Sequence, residues 1–340
     1  MFQSIKDEPS KELRPDHSNI RPSDWEVLSK YWYPLARAQD IGDSPVPVTL
    51  LDVQLVLFRG DEGMSVLLDR CAHRLVKLSA GKVKNGNIEC PYHALQFSGS
   101  GQCVHIPGSL KHTGSTKIPK SYQVQSFPVK EKYGLVWTCL YDTGTTSLPE
   151  LKGIEVYKLI YNEPRDVPAS AYRQIENFFD LGHLPVTHQP SLGGDINTPI
   201  TPGTVTTEEG IVQLDAEYLE IPLGMGERPC QYTYRVTLPF NMDMTILDDT
   251  EVETRFINFV LPNSAHECRA FQILTDTSEA GGLHAGVIDA TNTVNDEDKF
   301  ILANTPDIPT RLDGRGEMHL AIDNMALAYR KALLELGLGQ

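Results

Sequence analysis

Two mixed pairs of metal-ligating side chains, separated by 16 residues, constrain this chain more than any other feature. Residues 71–93 read CAHRLVKLSAGKVKNGNIECPYH, with Cys71 and His73 at one end and Cys90 and His93 at the other. Thiolate and imidazole both bind zinc and iron well. A zinc finger of the common kind takes two cysteines from its first pair and two histidines from its second, but here each pair is mixed. A dinuclear iron–sulfur centre with thiolates on one iron and imidazoles on the other needs this supply, each loop giving one ligand to each iron. On these residues alone, a structural zinc site stays open. Gly81, Asn85-Gly86-Asn87, Pro91 and Ser98-Gly99-Ser100-Gly101 offer the turns that would bring the loops together.

The 340 residues suffice for one large domain or two. Short β-like runs separated by Gly, Pro and Asn turns fill the first part: VTLLDVQLVLFRG (48–60), MSVLLDRCA (64–72) and YGLVWTCLY (133–141). They predict a small antiparallel β domain over 26–145, on which the aromatic segment WEVLSKYWYPLA (25–36) packs. Residues 1–25 read as an N-terminal arm, and TGTTSLPELKG (143–153) as a linker. The remainder, 146–340, mixes helical spacing in SAYRQIENFFDLGHL (170–184) and ALAYRKALLELGL (326–338) with long strands such as QYTYRVTLPFNMDMTIL. Helices around an antiparallel sheet make an α+β domain with room for an enclosed pocket.

Charge and composition narrow the function classes. A net charge of −15 argues against a non-specific nucleic-acid binder. No stretch of about 18 apolar residues occurs, so no membrane span is expected. The polar first residues carry no apolar core of a secretion signal, and six scattered cysteines do not form a disulfide framework. Both lead to the expectation of a cytoplasmic protein with reduced thiols. Cys103, Cys139, Cys230 and Cys268 read as packed thiols. GGLHAG (281–286) lacks the glycine order of a dinucleotide fingerprint, so electrons for any redox chemistry are expected from separate proteins.

ENFFDLGHLPVTH (176–188) holds the second constellation. His183 and His188, with a carboxylate from elsewhere, can form a facial triad that leaves positions open on non-haem iron. Asp180 lies one helical turn before His183, and Pro185 is expected to end that turn. Two spaced histidines near a helix are, on their own, more often structural. Glu176 could support the metal ligands from behind, but reads more readily as an exposed helical residue.

The set C-x-H-x16-C-x-x-H, inside DRCAHR and CPYHALQF and followed by GQCVHIPG, resembles the Rieske domain of Rieske non-haem iron oxygenases. The order N-x-x-D-x-x-H-x4-H over Asn177, Asp180, His183 and His188 resembles their mononuclear-iron motif. Chain length, EDKFIL (297–302) and the C-terminal AYRKALLELGL resemble the branch of vanillate and dicamba O-demethylases and methylxanthine N-demethylases. One departure stands out: family members often read C-x-Y-H-G-W, whereas Ala94 and Leu95 follow His93 here. Those positions are not ligands, so the difference touches local packing and cluster potential.

The resemblance implies an α+β chain: an antiparallel β Rieske [2Fe-2S] domain, then a catalytic domain of helix-grip type with an antiparallel sheet flanked by helices. Cys71, His73, Cys90 and His93 would hold the cluster. His183, His188 and Asp298 would hold a mononuclear Fe(II). Asp180 would join an iron-bound histidine to a cluster histidine of a neighbouring subunit, with Asn177 close to the iron. In NDEDKFIL (295–302), expected to begin a helix, Asp296 suits the capping role and leaves Asp298 to point inward; Asp289 and Asp323 are weaker candidates. The implied activity is monooxygenation, as demethylation or hydroxylation of an aromatic or N-heterocyclic small molecule with O2. Electrons would come from an NAD(P)H-dependent reductase, a ferredoxin or both, and the assembly would be a homotrimer. Aromatic ring cis-dihydroxylation is the rival enzyme reading, and a non-catalytic electron carrier the rival from another class. The pocket is expected from 231–246 and 191–200, with Phe240, Met242 and Met244 as apolar walls and Asn241 as a polar anchor.

Overall fold

A computed structural model describes residues 13–108, 111, 117–221, 226–248, 253–276, 284–306 and 311–339. Residues 1–12 of the N-terminal arm and residues 281–283 of the GGLHAG segment lie outside them. Two units emerge, Met1–Ser147 and Leu148–Gln340, divided within the 143–153 stretch.

The first unit opens with α1 (Pro22–Leu28), whose early proline falls where a helix has no use for that N–H. Trp25, Trp32 and Tyr33 are buried, so the aromatic segment packs into this unit. Eleven short strands follow: β1 (Tyr33–Arg37), β2 (Val46–Leu50), β3 (Val53–Gly60), β4 (Gly63–Leu68), β5 (Lys82–Lys84), β6 (Asn87–Glu89), β7 (Gln96–Phe97), β8 (Cys103–His105), β9 (Ser126–Phe127), β10 (Val129–Lys132) and β11 (Leu135–Thr138). They pair in three antiparallel sheets, β1-β11-β10, β2-β3-β4-β9 and β5-β6-β7-β8. The β5–β6 turn has Asn85 at φ 47° and Gly86 at φ 66°, the two left-handed residues of a tight hairpin. A side chain at Gly86 would also collide with the Asp61 carboxylate.

The second unit is built on one eight-stranded antiparallel sheet. Its strands are β12 (Lys158–Tyr161), β13 (Arg165–Val167), β14 (Thr204–Glu208), β15 (Ile211–Glu220), β16 (Arg228–Thr237), β17 (Asn241–Asp248), β18 (Glu253–Pro262) and β19 (Cys268–Asp276). Their order is β12-β19-β18-β17-β16-β15-β14, with β13 also on β19. Period-2 burial is plain on β16, where Cys230, Tyr232, Tyr234 and Val236 are buried in alternation. The helices are α2 (Ala171–Phe179), α3 (Leu184–Thr187), α4 (Gln189–Leu192), α5 (His284–Ala303) and α6 (Asn324–Glu335). Helix α2 packs on β17, β18 and β19, and α6 on β14 and β15. The chain is therefore α+β, an antiparallel β domain followed by a sheet flanked by helices.

Four local expectations change. NDEDKFIL does not begin a helix: it lies in the second half of α5, so Asp296 is not a cap but pairs on the exposed face with Arg165. Pro185 does not end the turn after Asp180. It sits in the first turn of α3, where proline is tolerated, and α2 has already stopped at Asp180 with ψ 115°. Glu176 is buried, held by Arg330 of α6. Phe240 and Met242 are 2% and 1% exposed, which makes them core residues rather than pocket walls.

Candidate metal centres

The two candidate ligand loops of the first unit have the same backbone plan. In the first, Cys71 N–H donates to Val76 O and Leu75 N–H to Cys71 O, both at 2.9 Å. In the second, Cys90 N–H donates to Leu95 O at 2.8 Å and Ala94 N–H to Cys90 O at 3.0 Å. Each loop closes through a left-handed residue, Leu75 at φ 61° and Ala94 at φ 54°. Asp69 anchors the first loop, accepting from Ser79 N–H at 2.7 Å and Ser79 Oγ at 2.6 Å.

This plan sorts the candidate ligands by environment. Cys71 and Cys90 are buried among Val56, Phe58, Leu67, Leu78, Ile88 and Phe97. The histidines lie outward, and His73 Nδ1 faces His93 Nδ1 at 3.2 Å. Burial, reinforced by the neighbouring Cys90, pushes the Cys71 thiol up to about 11. A buried thiol that resists ionisation in the bare protein is one a bound metal would deprotonate. Two sulfurs inside and two ring nitrogens at the rim suit a dinuclear cluster with unlike irons.

The second constellation gathers on three elements of the second unit. Leaving α2, Asp180 turns the chain, its Oδ1 accepting from Gly182 N–H at 2.7 Å. His183 and His188 flank the one-turn α3, which swings their rings to one point. Asp298 comes from the inward stripe of α5, where Thr291, Asn295, Asp298 and Leu302 recur at helical spacing. Gln272 Oε1 on the sheet, accepting from Asn295 Nδ2 at 2.9 Å, fixes that face of α5.

Three ligand atoms converge there. His183 Nε2 lies 3.0 Å from His188 Nε2 and 3.3 Å from Asp298 Oδ1, and His188 Nε2 lies 3.1 Å from Asp298 Oδ1. Among the described residues, these three form a group of metal-ligating type within 4.8 Å. Asp289 and Asp323 do not join it. Burial lowers His183, but Asp180 and Asp298 outweigh it and raise the imidazole to about 9. Burial raises Asp298, but His183 and His188 hold its carboxyl far below the usual range. Facing ring nitrogens beside a buried carboxylate are mutually tolerable only with a proton or a cation between them, so the donor set fits a divalent metal.

Surrounding groups complete the site. Asn177 Nδ2 donates to Asp298 Oδ1 at 3.1 Å, while Asn177 Oδ1 is buried without a partner. Asp180 Oδ2 stands 3.5 Å from His183 Nδ1, too far for a formed hydrogen bond. Glu297, which the sequence analysis passed over, lies 2.7 Å from His188 Nδ1. Its signal was faint: one acidic residue directly before another on a helix. A cavity of about 410 Å³ is lined by Asn177, Asp180, His183, Ile301 and Met318. Another, of about 490 Å³, has walls from Pro185, Gly194, Ile200, Tyr218 and Gln231. Gly194, Ile200 and Gln231 come from the two segments expected to line the pocket.

Comparison with known proteins adds context for both centres. The model of the Rieske [2Fe-2S] domain matches residues 31–128, and that of the vanillate O-demethylase oxygenase C-terminal domain matches residues 167–338. Methylxanthine N1-demethylase NdmA of Pseudomonas putida is 29% identical over 331 residues, 92% of this chain and 90% of that one. The oxygenase component of dicamba O-demethylase of Stenotrophomonas maltophilia is 35% identical over 173 residues, 48% of each chain. Protein TIC 55 of Arabidopsis thaliana is 35% identical over 187 residues, 53% of this chain but 33% of its own length. The chain thus spans about a third to a half of some curated relatives and nine-tenths of NdmA. The solved structure of NdmA with caffeine superposes with a TM-score of 0.78 at 24% identity, over 91% of both chains. That of dicamba monooxygenase bound to dicamba gives 0.76 at 25%, over 91% of this chain and 97% of that one. No helix among the described residues is long and apolar enough to cross a membrane.

Proposed function

The chain belongs to the Rieske oxygenases whose catalytic half is of the vanillate O-demethylase type, and from that premise we propose that it is the oxygenase component of a multicomponent system. In this reading it monooxygenates an aromatic or N-heterocyclic small molecule with O2, demethylating or hydroxylating it. The observation that carries the proposal is the convergence of His183, His188 and Asp298 inside the matched C-terminal domain.

Cys71, His73, Cys90 and His93 would hold the [2Fe-2S] cluster, and His183, His188 and Asp298 the mononuclear iron. When bound, the two groups supply single electrons and a site for dioxygen, respectively. The chain's own residues do the rest. Asn177 fixes the rotation of Asp298 through its Nδ2–H. Asp180 keeps its carboxylate beside His183 and partly exposed, which suits its role as a bridge to a cluster histidine of a neighbouring copy. The 490 Å³ cavity is of a size that takes a small aromatic molecule. Pro185, in the segment between the two histidines, forms part of its wall, while His183 and Asn177 line the 410 Å³ cavity. Oxygen insertion at a methyl on O or N yields a hemiacetal or hemiaminal, which falls apart to formaldehyde.

The reading includes a homotrimeric assembly, a cytoplasmic location, and a reductase or ferredoxin as electron donor; NdmA and dicamba O-demethylase, named as demethylases, support the choice of reaction. The test is a screen of methoxylated and N-methylated aromatics with an NADH-driven reductase, read as formaldehyde and oxygen-18 in the product. Formaldehyde with one labelled oxygen is the expected result. A cis-diol would transfer the chain to ring dihydroxylation, and reduction of the cluster without any product would leave an electron carrier.

A further inference from the structure

Glu297 has no role in the reading above, yet it makes the tightest contact at the candidate iron site. It precedes Asp298 on α5, and its Oε2 lies 2.7 Å from His188 Nδ1. The same oxygen accepts from Ser191 Oγ at 2.6 Å. His188 is 1% exposed, so water does not compete for its Nδ1. Its other nitrogen, Nε2, is turned to His183 and Asp298. Consecutive α5 residues therefore address opposite edges of one imidazole. Its companion is held differently, since His183 Nδ1 lacks a formed bond and has Asp180 Oδ2 only at 3.5 Å.

We propose that Glu297 is a positioning residue for the metal centre. It accepts the Nδ1 proton of His188, which fixes the tautomer whose Nε2 lone pair faces the metal, and Ser191 holds the carboxylate in place. Such a partner sets ring orientation and raises ligand basicity. The two histidines then have separate duties: His188 is the locked ligand, while His183 keeps its second nitrogen for Asp180. The inference rests on His183, His188 and Asp298 being metal ligands.

The experiment uses the full chain with its cluster, freed of mononuclear iron by chelation and titrated anaerobically with Co(II). Affinity and the visible ligand-field bands are both read. Wild type is expected to take one Co(II) per chain, and His188→Ala none; failure of the wild type to bind would remove the ligand reading and this inference together. Given that binding, Glu297→Ala is expected to weaken Co(II) by about 10- to 100-fold and shift the bands. Glu297→Gln, which keeps an oxygen acceptor, should recover most of the affinity and the wild-type spectrum. Ser191→Ala should give a smaller loss of the same kind, and it carries the test if Glu297→Ala does not fold. Unchanged affinity and bands in Glu297→Ala would overturn the proposal while leaving the ligand set intact. So would a Gln variant as weak as the Ala variant.

Discussion

His183 Nε2 and His188 Nε2 face each other at 3.0 Å, although one ring precedes α3 and the other follows it. The five-residue spacing works because a single helical turn between the rings brings them back to one point. Substituting His183, His188 or Asp298 by alanine should therefore each remove one iron per chain and abolish oxygenation. The cluster's absorption should stay, because its ligands come from a different unit. Iron and sulfide analysis of the three variants checks this; retained iron in any of them would remove that residue from the ligand set.

Asp180 touches the site without joining the ligand group. Its Oδ2 lies 3.5 Å from His183 Nδ1, and its Oδ1 is engaged by Gly182 N–H. Asp180→Asn should keep both metals and cluster reduction by the donor, yet slow product formation by about 100-fold or more. Single-turnover measurements with a pre-reduced cluster test it. Turnover at the wild-type rate would end the bridging role.

Arg330 connects the C-terminal helix to the site helix. It is 4% exposed and binds Glu176 on α2 and Glu317 beside it. Arg330→Met leaves the buried Glu176 to Arg173, at 3.2 Å, and should cost less in chemical denaturation than the about 3–5 kcal/mol of a fully stranded buried charge. Glu317 is more exposed, so Glu317→Gln should cost no more than about 1 kcal/mol at pH 7. Burial raises the Glu317 carboxyl, but Arg173 and Arg330 outweigh it and hold it below 4.5. Its contribution is therefore full above that ordinary value and lost as pH falls through the folded value. The gap between wild type and Glu317→Gln should close below about pH 4.5 and stay constant from pH 6 to 8.

Ala94 occupies a left-handed position, φ 54°, directly after a candidate cluster ligand. Alanine there costs about 1–2 kcal/mol, partly offset by the extra unfolded-state freedom of glycine. Ala94→Gly should stabilise the first unit by about 0.5–1 kcal/mol and leave cluster loading unchanged. Thermal unfolding gives the answer, and a lower midpoint would mean that the methyl contributes packing that outweighs the strain.

The sequence was most readable where chemistry is local. Cys71, His73, Cys90 and His93 stood out because loops that chelate one cluster need short fixed spacings. His183 and His188 were less plain, since two spaced histidines are more often structural and only the family resemblance favoured a metal role. Asp298 depended on resemblance, since a single carboxylate 110 residues further on leaves no local pattern. Glu176 was misread as exposed because its partner, Arg330, is 154 residues away. The start of α5 was misplaced because acidic residues inside a helix, here Asp296 and Glu297, look like a capped beginning. Glu297 escaped notice because only the folded chain shows which edge of His188 it meets.

The most direct test of the central claim is iron and sulfide content in anaerobically purified protein, with an EPR spectrum after dithionite reduction. Three irons and two sulfides per chain with a Rieske-type signal are expected: two irons with the sulfides at residues 71–93, and one at His183, His188 and Asp298. Two irons and two sulfides that do not rise on Fe(II) reconstitution would contradict the mononuclear site. Zinc without sulfide, in protein that never carried a cluster, would contradict the cluster at residues 71–93 and the proposed function with it.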